Sequence, residues 1–362
     1  MSKSKENIIA SISVLLVLFI IIIYPSDGRD GELANLSNEP NTNVKRIGII
    51  FNKHGLGDKS FNDLCFDGIL RAQDKLGIEF DYSESKSEEE YENIAREYAE
   101  SKKYDLIISI GFEQEEAVRK VSQEFLNQKF TLVDSTLELP NVSSINTSWT
   151  EQTFLNGVIA GLLMEKDKEK PQGKEFGGVI LGMDMEHLRE GAVGFEAGIR
   201  YINPDAKVIV GVVDDFSNPA KAKEIALAMY KKGVKYIQHI AGESGFGVFA
   251  AAKEVDKYAF GIDGNQNFFE PDYIVATAMR HADDIIYNEI EATVKNTWSP
   301  GMHVYGIKEN VIGYETEGSS VEIQPKVIEI VEKTKKDIVE GKLQIPSTYE
   351  ELEIWTQSNK YK

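Results

Sequence analysis

Cysteine is almost absent: Cys65 stands alone in 362 residues. A single thiol excludes an internal disulfide framework and any metal site built from a cysteine cluster. Histidine is scarce as well. The five present (His54, His187, His239, His281 and His303) are scattered without the spacing of metal ligands, so the sequence implies no metal and no cofactor. Basic residues are in deficit, 40 Lys and Arg against 59 Asp and Glu, for a formal net charge of −19. A nucleic-acid binder needs the opposite balance, since phosphates are neutralised by Lys and Arg gathered on one face. P-loop, HExxH and GxSxG patterns are missing, and Gly242, Gly245 and Gly247 do not fit GxGxxG. Cys65 falls within an amphipathic helix pattern and reads as core rather than nucleophile. With no nucleophile accompanied by a base, these absences favour a binding protein over an enzyme.

What is there begins with residues 8–24, an unbroken uncharged run (IIASISVLLVLFIIIIY) preceded by Lys3 and Lys5. The charge bias keeps the N-terminus cytoplasmic and sends the remainder across a membrane. The run ends in Ile-Ile-Ile-Ile-Tyr-Pro, a poor site for a signal peptidase, and no cysteine follows that could carry a lipid. An uncleaved anchor is therefore preferred to a cleaved signal, although seventeen residues is near the short end of what spans a bilayer. Residues 25–44 are polar without a hydrophobic period and read as a flexible tether. The expected location is the cell membrane, with the globular part outside the cytoplasm.

From residue 45 onward, short β-branched runs alternate with amphipathic segments, the βαβ rhythm of a parallel sheet. Strands are expected at 46–51, 79–82, 105–111 and 129–134, then again at 176–181, 207–213, 235–241 and 257–263. Helical patterns fall between them. The two halves agree in detail: KYDLIISIG matches VKYIQHIAG, and KFTLVD matches KYAFGID. The predicted class is α/β, two doubly wound lobes with a hinge and a ligand cleft between them. Residues 45–145, with about 268–298, are assigned to the first lobe; residues 146–267, with about 299–345, go to the second. Residues 303–307 and 311–314 are expected to form a hairpin-like pair.

In open parallel sheets ligands bind outside the carboxyl ends of the strands. Each half ends its last common strand in an aspartate, Asp134 and Asp263, which facing lobes would bring to one cleft. Capping of the following turn is the alternative role for each. The turn of Gly57, Asp58, Lys59, Ser60, Phe61 and Asn62 leads into a helix, and Asp58 or Ser60 can cap it. Asn62 has a donor and an acceptor to offer the edge of a heterocycle, and paired carboxylates suit a vicinal diol. Phe51, Phe61, Phe112 and Phe216 lie near the same loop ends and could stack on a planar ligand.

Taken together, these blocks resemble the basic membrane protein (Bmp) family, the PnrA-like substrate-binding lipoproteins of ABC transporters. The resemblance rests on GDKSFND at 57–63, FTLVDSTLELPN at 130–141, TFLNGVIAG at 153–161, FSNPAKAKEIA at 216–226, GESGFGVFAAAKE at 242–254 and GIDGNQ at 261–266. It implies a type I periplasmic-binding fold that holds a purine nucleoside (guanosine, inosine or adenosine) and hands it to permease and ATPase subunits. Carried over by position, Asn62 pairs with the base, Asp134 and Asp263 anchor polar groups, and Phe216 stacks. The other stacking ring falls to Phe51 or His54, and Gly242 and Gly245 belong to the matching blocks. Arg280 stands where the family commonly has Lys, and Asn265 replaces a second acid. A ligand sensor or surface interaction protein on the same fold is the alternative function.

Overall fold

The structure is a computed structural model that describes residues 44–166 and 176–361. The expected anchor at 8–24 and the tether up to residue 43 lie outside the described residues. Among the described residues, no helix is long and apolar enough to cross a membrane.

The first half alternates as its pattern requires. Strands β1 (Arg46–Phe51), β2 (Glu79–Glu84), β3 (Leu106–Ile110), β4 (Phe130–Val133) and β5 (Val142–Thr147) are interleaved with helices α1 (Phe61–Leu76), α2 (Glu88–Ser101) and α3 (Glu115–Glu124). In β1, Ile47, Ile49 and Phe51 join one apolar cluster with α1, whereas Ile50 joins another with α2 and α3. The two-residue period of a strand thus feeds both faces of the sheet, which is why RIGIIF is apolar almost throughout.

Helix α4 (Trp149–Lys166) carries the chain into a second lobe. There β6 (Phe176–Leu181), β7 (Lys207–Val212), β8 (Tyr236–Ile240), β9 (Tyr258–Asp263) and β10 (Ile274–Arg280) are interleaved with α5 (Glu186–Ile202), α6 (Pro219–Lys231) and α7 (Gly245–Val255). The same alternation recurs, with Val179 and Leu181 on one face and Ile180 on the other. Helix α8 (Ala282–Val294) then returns to the first lobe, where Ala282, Ile286 and Ile290 pack with Cys65, Ile69 and Ala72 of α1. Strand β11 (Gly301–Tyr305) follows, then β12 (Ile312–Glu315), α9 (Pro325–Val339) and α10 (Tyr349–Ser358). The sheets run β11-β5-β4-β3-β1-β2 and β12-β10-β9-β8-β6-β7, all parallel except β12 against β10.

Two expectations for the last third are corrected by this topology. Residues 303–307 and 311–314 do not pair with each other: β11 runs parallel to β5 in the first sheet, and β12 runs antiparallel to β10 in the second. Likewise β10, assigned to the first lobe with residues 268–298, pairs with β9 in the second, and β11, assigned to the second lobe with residues 299–345, pairs with β5 in the first; α8 and β11 are the elements that cross back. An apolar run such as IVATAM fits the middle of either sheet, so local pattern finds the strand without finding its neighbour. The chain passes between lobes after β5, after β10 and between β11 and β12. Those passages are tied backbone to backbone, Ser148 N to Tyr305 O at 2.9 Å and His281 N to Val311 O at 2.9 Å.

Helices α4 and α5 approach unusually closely. A Cβ on Gly194 would sit 2.1 Å from the Thr150 carbonyl oxygen, and one on Gly198 would sit 2.1 Å from that of Phe154. This contact fixes α4, and with it Trp149 and Gln152 at its first turn, against the second lobe.

Candidate functional site

The carboxyl ends of the central strands converge on one cavity of about 310 Å³ between the lobes. The first lobe supplies residues after β1 (Asn52, His54 and the turn into α1), after β3 (Gly111, Phe112, Glu113) and after β4 (Asp134). The second supplies His187 of α5, Phe216 and Ser217 before α6, Gly242 and Glu243 after β8, Asp263 of β9 and Arg280 of β10. Trp149, at the start of α4, completes the wall.

Asp134 and Asp263 occupy equivalent places, and both have φ of 63°, in the left-handed region. That conformation turns the chain sharply at the strand end, a geometry Asp tolerates better than most residues. Between them lies Arg280, only 2% exposed. Its Nη1 donates to Asp134 Oδ1 at 2.7 Å, and its Nε lies 3.3 Å from Asp263 Oδ1. Asp263 also accepts from Ser60 Oγ at 2.9 Å and from Gln152 Nε2 at 3.0 Å. The guanidinium lies over the rings of Phe61 and Trp149, 4.4 and 5.0 Å from their centroids. Burial alone would lower the Arg280 pKa, but Asp134 and Asp263 more than offset it and hold the group charged. Asp134 and Ser60 belong to the first lobe, Asp263 and Arg280 to the second, so this network spans the cleft.

The turn into α1 divides its labour. Asp58 caps the helix, its carboxylate accepting from the backbone N–H groups of Ser60, Asn62 and Asp63 at 2.9–3.2 Å. Ser60 is thereby left to reach Asp263. Asn62 donates Nδ2 to Asn52 Oδ1 at 3.1 Å, while its own Oδ1 is buried without a partner.

Aromatic groups line two further sides. The His54 and Phe216 rings meet edge to face at 5.6 Å, and His54 Nδ1 is 3.2 Å from Ser217 Oγ, both contacts crossing the cleft. His187 lies 5.0 Å from both Phe112 and Trp149. Burial lowers the pKa of His54 and of His187, favouring the neutral form of each ring. Burial also pushes the Glu113 carboxyl up to about 7, with Asp134 adding to the shift.

The cavity thus gathers His54, Asp58, Ser60, Phe61, Asn62, Phe112, Asp134, Phe216, Gly242, Asp263 and Arg280 of the residues picked out from sequence. Three others do not line it. Phe51 is fully buried in the first-lobe core, edge to face with Phe66 and Tyr82, so of the two candidates for the second ring only His54 reaches the cavity. Lys59 is exposed, its amine 5.5 Å from the Phe269 ring. Gly245 opens α7 against the His239 ring, where a Cβ would come within 2.2 Å, and its role is packing. Sequence reasoning passed over Asn52, Glu113, Trp149, His187 and Glu243. Glu113 had a signal, standing two residues past the Gly that ends a buried strand. Trp149 and His187 had only their places at helix starts. The arrangement offers rings, a charged floor and unpaired acceptors, the equipment for enclosing a planar polar molecule.

A family model described as ABC transporter substrate-binding protein PnrA-like (Bmp) matches residues 45–348. The chain is 30% identical over 291 residues to an uncharacterized lipoprotein of Pyrococcus abyssi, covering 76% of this chain and 70% of that protein. It is 25% identical over 366 residues to the ABC transporter nucleoside-binding protein BmpA of Lactococcus lactis subsp. cremoris, covering 95% and 99%. In fold it is similar to an ABC transporter solute-binding protein of Aeropyrum pernix K1, with a TM-score of 0.76 at 24% identity, covering 87% and 99%.

Proposed function

The chain belongs to the PnrA-like (Bmp) family of ABC transporter substrate-binding proteins, and on that premise we propose that its cavity holds a purine nucleoside for delivery to a permease. The family is one of binding proteins, not an enzyme class. The observation that carries the reading is the joining of aromatic walls to an Asp134–Arg280–Asp263 floor at the carboxyl ends of both sheets. Rings such as Phe216 and His54 suit the faces of a base, and the carboxylates suit ribose hydroxyls. The name of the Lactococcus relative, a nucleoside-binding protein, supports the same ligand class.

In this reading residues 8–24 keep the chain on the membrane and the lobes work outside the cytoplasm. Contacts from both lobes meet at the ligand: Ser60 with Asp263, Asp134 with Arg280, and His54 with Ser217. Closure therefore completes the site, and the closed form is what permease and ATPase subunits detect. Arg280 takes the place commonly held by Lys and engages carboxylates of both lobes, a task suited to its planar fork. Calorimetry with guanosine, inosine, adenosine and uridine is the test. The reading expects the purine nucleosides to bind; affinity for every one weaker than about 100 μM refutes it.

A further inference from the structure

Resting on the nucleoside reading of the cavity, we infer that Asn62 and Glu113 form an acceptor pair selecting purines with adjacent N–H donors, the 2-amino-6-oxo edge of guanine.

The hydrogen bonds set the polarity of Asn62. Asn52 Oδ1 accepts the backbone N–H of His54 at 3.1 Å, so that atom must be the amide oxygen. Asn62 can meet it only with its nitrogen, which donates at 3.1 Å. The remaining Asn62 atom, Oδ1, is an acceptor in a side chain only 1% exposed, and no protein group supplies it with a hydrogen. An acceptor buried in that state destabilises the empty site until a ligand donates to it.

Glu113 presents a second such atom. Its Oε2 is buried and unpartnered, and the residue lines the cavity. Lys53 already reaches Glu88 at 2.7 Å, and Arg280 is held between the two aspartates. Glu113 stands beside the asparagines because of Gly111. A Cβ there would be 2.5 Å from Glu113 Oε2 and 3.1 Å from Asn52 Nδ2. The glycine leaves room for both side chains over one stretch of backbone, so Glu113, Asn52 and Asn62 form one continuous patch.

Two unpaired acceptors in one patch call for two donors. Guanine offers N1–H next to its 2-amino group, hypoxanthine offers N1–H alone, and adenine sets the N1 lone pair where a hydrogen is needed. Facing lone pairs repel and leave both partners unpaired, a mismatch that discriminates more strongly than a missing contact in an apolar pocket.

The test is calorimetry on the full chain and on Glu113→Gln and Glu113→Ala, with guanosine, inosine and adenosine, folding being checked by thermal melting. The wild type is expected to bind guanosine most tightly, then inosine, then adenosine. Glu113→Gln should weaken guanosine roughly ten- to hundred-fold and adenosine less than about threefold, the loss of one charge-assisted hydrogen bond. Adenosine bound as tightly as guanosine by the wild type overturns the inference, as does an equal change for both in the two variants. In either case the nucleoside reading survives. Failure of every nucleoside to bind removes that reading and this inference together.

Discussion

Arg280→Met tests whether the cavity floor is a working charge network. The substitution keeps most of the side-chain volume and removes the cation that lies 2.7 Å from Asp134 and 3.3 Å from Asp263. Two buried carboxylates are then left near each other without compensation. Breaking a buried pair by deleting one partner costs about 3–5 kcal/mol. The lost contacts with Phe61 and Trp149 add roughly 0.5–2 kcal/mol. Against this, Ser60 and Gln152 still donate to Asp263 and relieve part of the loss. A net loss of about 4 kcal/mol is expected, read by urea unfolding of the ligand-free protein. Adding Asp134→Asn to the variant removes one of the stranded charges and should recover at least about 1 kcal/mol. A loss below about 1 kcal/mol, or no recovery on adding Asp134→Asn, refutes the charge argument and leaves Arg280 as packing.

Two other consequences follow from the same geometry. Burial holds the Glu113 carboxyl up at about 7, with Asp134 and Glu88 raising it and Lys53 opposing. On the proposed reading its ionised form accepts from guanine, so guanosine affinity falls as pH drops below that value, by no more than the roughly ten- to hundred-fold expected for Glu113→Gln, and levels off above it, while adenosine, whose N1 lone pair can accept from the protonated carboxyl, binds more tightly on the acid side; calorimetry across this range checks both. The sign for stability is opposite: a carboxyl raised on folding stabilises the empty protein most below the ordinary carboxylate range, and that contribution is lost as pH rises through 7. Gly198→Ala places a methyl 2.1 Å from the Phe154 carbonyl oxygen and 2.7 Å from the Val158 nitrogen. Backbone cannot rotate away as a side chain can, so α4 must shift, at a cost of about 1–3 kcal/mol by urea unfolding; a stability unchanged within about 0.5 kcal/mol refutes that tight contact.

The strand–helix rhythm was legible because each central strand is buried on both faces and each helix on one, so composition and period carry the signal locally. The two aspartates were legible for the same reason, standing at matching ends of matching strands. What stayed hidden depends on pairing across long stretches of chain. Nothing within HVYGI or VIGYE states that one strand will lie beside Val142–Thr147 and the other beside Ile274–Arg280. Phe51 shows the same limit at the scale of one residue. It sits at the carboxyl end of β1, where ligand-facing residues gather, but its parity along the strand turns it into the core with Ile47 and Ile49. The step to Asn52 passes to the cavity side, and the strand period, applied one residue further, would have found it.

The division of roles within the turn at 57–63 explains why a dense cluster of polar residues was only half readable. Asp58 and Asp63 spend their carboxylates on the turn itself, Asp63 accepting from Gly57 N at 2.7 Å and Lys59 N at 2.9 Å. That leaves Ser60 and Asn62 free of capping duty, although both types are common caps. A residue's availability for a ligand is decided by which neighbour satisfies the backbone first, and two aspartates outcompete a serine for that work. The cavity inherits what remains: a hydroxyl committed to Asp263 and an amide oxygen committed to nothing. In the proposed nucleoside reading, this leftover acceptor, joined by that of Glu113, is what lets the cavity prefer one edge of a base.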